Sequence, residues 1–175
     1  MQWFLFTLAF LNLGYWVQVS LKARWSQILG ARELSRTGTT ISSPSTGDVV
    51  GRLEIPRLSL SAVVFEGADP DVLERGAGHL PGSAMPGDRG NTVLAAHRDT
   101  FFRSLRGIRV GDVVKIHRPQ KDSSYVVQSA HVVEPDDVDV LKATPEPALT
   151  LITCYPFRFI GPAPERFVLR AVLAP

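Results

Sequence analysis

Ala148-Leu-Thr-Leu-Ile-Thr-Cys-Tyr-Pro-Phe157 alternates apolar and polar side chains up to a proline, the pattern of a half-buried strand that stops at Pro156. Its cysteine, Cys154, is the only one in the chain, so no internal disulfide can use it. The same strand signal recurs on both sides. Val49 to Ile55, Ser61 to Glu66, Asn91 to Ala96, Asp112 to His117, Ser124 to Glu134, Ala148 to Thr153 and Phe167 to Leu173 are short Val/Ile/Leu-rich runs parted by turn residues. At least seven strands within about 125 residues predict an all-β domain closed, or nearly closed, into a barrel. Helix is sparse. Asp69 to Arg75 opens on an Asp-Pro cap signal, and Phe101 to Leu105 and Asp136 to Leu141 read as single helical turns.

The chain has 175 residues, 45% of them apolar, enough for one packed domain and an appended segment. With 19 basic and 17 acidic residues the formal charge is +2, which excludes the concentrated positive field of a nucleic-acid binder. The appended segment is at the N-terminus. Trp3 to Leu21 is apolar apart from Thr7, Asn12, Gly14, Gln18 and Ser20, close to the roughly 20 residues that span a bilayer. No A-x-A cleavage site follows it, and Tyr15 and Trp16 suit a membrane interface. Residues 1 to 21 are therefore expected to form a transmembrane signal anchor. Residues 22 to 48 are expected to form a stalk, helical over Lys22 to Arg36 and then a Ser/Thr/Gly/Pro linker, TGTTISSPSTGD. Residues 49 to 175 make the barrel. Lys22 and Arg24 follow the apolar run and no basic residue precedes it, so the positive-inside rule alone would put the barrel in the cytoplasm.

Three residue types that carry chemistry stand at strand edges: Cys154, His97 at the end of Asn91-Thr-Val-Leu-Ala-Ala-His97, and Arg166 at the start of Arg166-Phe-Val-Leu-Arg-Ala171. A cysteine works as thiolate, and a strand end in an electropositive neighbourhood favours that form. From spacing alone, a buried core thiol is the alternative. His117 and His131 lie in strand patterns with polar neighbours and read as exposed strand residues. His79, in Gly76-Ala-Gly-His-Leu-Pro-Gly82, reads as a structural loop histidine. Asp136, Asp137 and Asp139 lack the Gly and distal Glu of an EF-hand loop and read as a solvated turn, so no metal site is expected.

Asn91-Thr-Val-Leu-Ala-Ala-His-Arg-Asp-Thr-Phe-Phe102, Thr150-Leu-Ile-Thr-Cys-Tyr-Pro-Phe157 and Ile160-Gly-Pro-Ala-Pro-Glu-Arg-Phe-Val168 closely resemble the His, Cys and Arg segments of sortases, with wording most like class D. The resemblance runs in family order over about residues 49 to 174 and implies a closed eight-stranded barrel. It also implies a cysteine transpeptidase. Cys154 would attack the Thr carbonyl of an LPxT-type sorting signal and form a thioester, His97 would serve as general acid and base, and Arg166 would hold the carbonyl oxygen. The family arginine falls on Arg166 through the pattern Arg-x-x-x-x-Ala closing at Ala171, which leaves Arg170 a neighbour without a role.

The implied partners are secreted proteins with a C-terminal LPxT-like signal and an amine acceptor, a cell-wall peptide or a pilin lysine. The chemistry requires no cofactor. The family places the barrel on the extracytoplasmic face of a single-pass anchor, opposite to the basic-residue rule, so a basic region is expected ahead of Met1 in the complete protein. Papain-like proteases place cysteine before histidine and caspases carry another local signature, so the His-then-Cys order fits neither. Two classes stay open on residues alone: a hydrolase in which water resolves the thioester, and a non-enzymatic tethered barrel that binds extended peptides.

Overall fold

The computed structural model describes residues 44–175 together with Gln27 and Leu29. The expected anchor, residues 1 to 21, lies outside the described residues, as does most of the expected stalk. Among the described residues no helix is long and apolar enough to cross a membrane.

Eight strands close into a barrel: β1 (Val49–Ile55), β2 (Leu60–Glu66), β3 (Ala77–His79), β4 (Asn91–Ala95), β5 (Val113–His117), β6 (Ser123–Val133), β7 (Ala148–Tyr155) and β8 (Glu165–Leu173). Around the barrel the order is β1-β2-β3-β4-β7-β8-β6-β5. The seven expected strands all form, within a residue or two of their expected ends. The eighth, β3, is three residues long and pairs parallel to β2 and antiparallel to β4. His79 is therefore a strand residue and not the loop residue expected. Gly-Ala-Gly-His is too short and too poor in β-branched residues to show a strand pattern.

Alternation sorts the strands into two faces. Leu53 and Ile55 of β1, Leu94 of β4, Ile116 of β5, Leu149 and Leu151 of β7 and Leu169 of β8 are fully buried and fill the barrel interior. Burying each such side chain stabilises by about 1.5–3 kcal/mol. The expected turn near Phe101 is a 3-10 segment, Arg103–Gly107, whose Leu105 and preceding Phe102 close one end of that core at 0% exposure. Helix α1 (Pro70–Arg75) starts as the sequence indicates: the Asp69 side chain accepts from Val72 N–H at 3.1 Å and Pro70 occupies the first turn.

Two features tie the segment before β1 to the barrel. Gly47 N–H donates to Glu66 O and Glu66 N–H to Asp48 O, both at 2.8 Å, so the last linker residues extend the sheet beside β2. Further upstream Gln27, in a helical turn, accepts from Val63 N–H at 2.7 Å and donates from Nε2 to Arg75 O at 2.6 Å. The short β3 pairs only with Val64 to Glu66, so the β2 backbone ahead of it takes a side-chain partner instead.

Candidate active site

β7 and β8 run antiparallel with Cys154 opposite Arg166 and Thr150 opposite Arg170. Directly opposed residues in such a ladder have Cα atoms about 4.5–5.5 Å apart, with side chains on one face. β4 lies on the other side of β7 and runs parallel to it, the last registered pair being Ala95 with Ile152. Beyond it, Ala96 N–H donates to Ile152 O at 3.2 Å and the buried Thr153 hydroxyl donates to Ala96 O at 2.6 Å. The next residue is His97, which this pairing brings to the level of Cys154. Leu149 and Leu151, and Leu169 and Ala171, point into the core, so Cys154 and Arg166 fall on the outer face of β7 and β8, with His97 two residues past the end of the neighbouring β4. Cys154 is in the middle.

Local contacts hold each of the three. His97 is exposed, and its carbonyl accepts from Phe102 N–H at 3.1 Å, closing the turn that follows β4. Cys154 is a half-buried free thiol. On the opposite parity, Tyr155, Phe157 and Phe167 pack ring on ring with centroids 5.1 to 6.5 Å apart, a rigid underlay for the end of β7. Arg166 donates from Nη1 to Glu165 O at 2.9 Å and Ala163 O at 3.2 Å, and neither bond uses Nε or Nη2.

The other histidines stand apart. His117 ends β5, with Nδ1 3.0 Å from Asp122 and Nε2 3.6 Å from Glu54, on the β1 side of the barrel. His131 is exposed and opposes Val168, two strands and one row from Cys154, about 12 Å by strand spacing and rise. His79 is 2% exposed, its Nδ1 2.7 Å from Glu66 Oε2 and its Nε2 near Ser83 Oγ and Ala84 O at 3.0 and 3.1 Å. Ser, His and Glu in series suggest a second nucleophile. However, Ser83 Oγ donates to Leu80 O and accepts from Val93 N–H, so the cluster pins β2, β3 and β4 together. Asp137 caps Asp139 N–H and Asp139 pairs with Lys142, which makes that acidic stretch a turn bonded within itself.

Sequence reasoning left Arg170 without a role, and the structure supplies one. Arg170 Nη1 donates to Thr150 Oγ1 at 2.6 Å, Thr150 donates to Asn91 Oδ1 at 2.7 Å, and Asn91 Nδ2 donates to Val140 O and Lys142 O at 3.1 and 3.2 Å. Burial pushes the pKa of Arg170 below the ordinary arginine value. This relay straps the β6–β7 connection onto the face that carries Cys154, two residue rows from the thiol. Thr153 was missed as well, although its place before Cys154 in the alternation turns it away from the thiol and toward the β4 backbone.

A closed eight-stranded barrel with a cysteine opposite an arginine on β8 and a histidine just past the end of β4 defines a class, the sortase-type barrels. The Sortase domain family matches residues 53–174. Sortase D of Bacillus subtilis is 36% identical over 127 residues, 72% of this chain and 64% of that protein. Among solved structures, a Clostridium perfringens sortase D5 transpeptidase superposes with a TM-score of 0.76 at 26% identity over 87% of this chain and 98% of its own. Sortase C of Clostridium perfringens, solved with the C-terminal cell wall sorting motif, gives 0.69 at 28% identity over 86% and 88%. The chain belongs to the sortase family and is class D-like. It spans a little under two thirds of the length of the Bacillus subtilis relative.

Proposed function

We propose that this chain is a membrane-anchored transpeptidase that cleaves an LPxT-type sorting signal at Cys154 and transfers the acyl half to an amine. The observation that carries the reading is the cross-strand pair Cys154–Arg166, with His97 two residues past the end of the neighbouring β4. The Cys154 thiolate adds to the Thr carbonyl, and the oxygen that becomes negative accepts from Arg166 Nε and Nη2. As the C–N bond breaks, the leaving amine takes its proton from His97, leaving a thioester on Sγ. The incoming amine gives a proton back to His97 as it attacks, and the new amide forms while the thiolate departs. The exposed position of His97 suits that exchange with two successive amines. A cell-wall peptide or a pilin lysine would supply the second.

Residues 1 to 21 would hold the barrel at the extracytoplasmic face, where exported substrates pass. The test is to incubate the chain with an LPxT-containing peptide and weigh the protein. An acyl adduct should form on the parent and be absent from Cys154→Ala. His97→Ala should be comparably inactive, with His117→Ala and His131→Ala near parent rates. An adduct that survives Cys154→Ala, or loss at either of the last two, overturns the assignment.

A further inference from the structure

The loop joining β7 to β8 connects Cys154 to Arg166, and two guanidinium groups grip its backbone. Arg166 holds the far end through Glu165 O and Ala163 O. At the near end Arg98 Nη2 donates to Phe159 O and to Gly161 O, both at 3.1 Å, with its guanidinium 5.8 Å from the Phe159 ring centroid. Arg98 Nη1 is buried, while the two Nη2 bonds to the loop lie at the surface. The loop tip that it holds is otherwise unsupported: Phe159 is 46% and Ile160 100% exposed. Phe157 anchors the start of the loop to the ring cluster, but apolar contacts do not fix its tip, where the charge-assisted bonds of Arg98 are the anchorage that the structure gives. Arg98 is also covalently next to His97.

We propose that Arg98 is a positioning residue that sets Arg166 relative to His97 through this loop. The inference rests on the functional reading above. The two walls of the site come from β4 and β8, which touch β7 but not each other. Arg98 spans that gap. It starts on the His97 side, takes hold of Phe159 and Gly161, and the same loop presents the Ala163 carbonyl to Arg166. With the loop released, Arg166 Nη1 keeps Glu165 O but loses the Ala163 carbonyl that fixes its direction, and its remaining donors lose their aim at the carbonyl oxygen. A lysine at 98 keeps the charge but has no planar fork to hold two carbonyls at once.

The test uses the full chain in detergent micelles and single-turnover thioester formation on an LPxT peptide, for Arg98→Met, Arg98→Lys, Arg166→Lys, the Arg98→Met/Arg166→Lys pair and Cys154→Ala. Arg98→Met should slow thioester formation about tenfold with the half-saturating peptide concentration within about twofold, because the lost bonds act on alignment and not on binding. Arg98→Lys should recover part of the rate. Alkylation of Cys154 by iodoacetamide should match the parent in both, since that reaction needs no oxyanion donor. In the Arg166→Lys background, Arg98→Met should cost less than about threefold, the non-additivity of residues that act through one another. Parent-like rates in both Arg98 variants, or an equal loss in both backgrounds, would overturn the coupling. A thioester on Cys154→Ala would instead overturn the functional reading beneath it.

Discussion

Replacing Arg166 by lysine tests the oxyanion assignment against a control on the same strand face. Cys154 opposes Arg166, and Arg170 opposes Thr150, four residues away along both strands. At about 3.3 Å per residue that separation is about 13 Å, beyond what one side chain can bridge to the reacting carbonyl. Lysine preserves the charge, so any long-range field at the thiol is nearly unchanged. What it removes is the fork: lysine cannot hold the carbonyls of Ala163 and Glu165 and present two more donors at once. Losing one oxyanion donor costs about 2.7–4 kcal/mol, a factor of roughly a hundred to a thousand in rate. Arg170→Lys keeps one donor for Thr150 Oγ1 and should lower the rate by less than about tenfold. Single-turnover thioester formation, with thermal unfolding measured alongside, separates catalysis from stability. Equal losses in the two variants, or a larger one at Arg170, would mean that the oxyanion partner lies elsewhere.

Thr153→Val leaves Ala96 O without its 2.6 Å donor, so stability should drop by about 1–3 kcal/mol in urea unfolding and thioester formation should slow as the His97 segment loosens. Unchanged activity would separate that segment from Thr153. A fragment beginning at Val49 lacks Gln27 and the 45–48 contacts, and should unfold at lower urea than one beginning at Lys22; coincident curves would remove the structural role of Gln27. Hydrogen bonds from Arg57 hold Asp112 below the ordinary carboxylate range, even though burial opposes this. That stabilisation is present above the ordinary range and is lost as pH falls through the depressed value, so stability should decline below about pH 4 and Asp112→Asn should flatten the decline. Burial pushes the Tyr125 hydroxyl above its ordinary value, with Gly87 N–H donating to it at 2.7 Å. Its contribution is complete below about pH 10 and fades as pH rises through the raised value, so Tyr125→Phe should weaken the alkaline dependence of unfolding.

The legible parts of the fold were those written in single segments. Leu149, Leu151, Leu169 and Ala171 repeat at period two, and their strands formed where that period predicted. β3 was illegible because a three-residue strand flanked by glycines has no period, and it exists only because β2 and β4 offer it partners. Cys154, His97 and Arg166 could be singled out by type and motif. Their adjacency could not, because it depends on the registers of β4 on β7 and of β7 on β8, which no local stretch encodes. For the same reason the Arg170–Thr150–Asn91 relay and the Arg98 grip were invisible. Each joins residues from strands or loops distant in sequence, through side-chain reach that spacing does not reveal.

The place of β8 between β6 and β7 has a consequence for the birth of the enzyme. Ala96 and Thr153 are 57 positions apart in sequence, so the β4–β7 pairing must wait for a long stretch of chain to emerge, and such non-local parallel contacts form slowly. β8 comes last, and its docking both seals the barrel and sets Arg166 opposite Cys154. A chain made or threaded from its N-terminus thus carries its thiol for some time without Arg166 opposite it. Under the proposed mechanism nascent molecules should be chemically silent toward passing peptides, and the onset of acylation should mark the moment when β8 enters its slot.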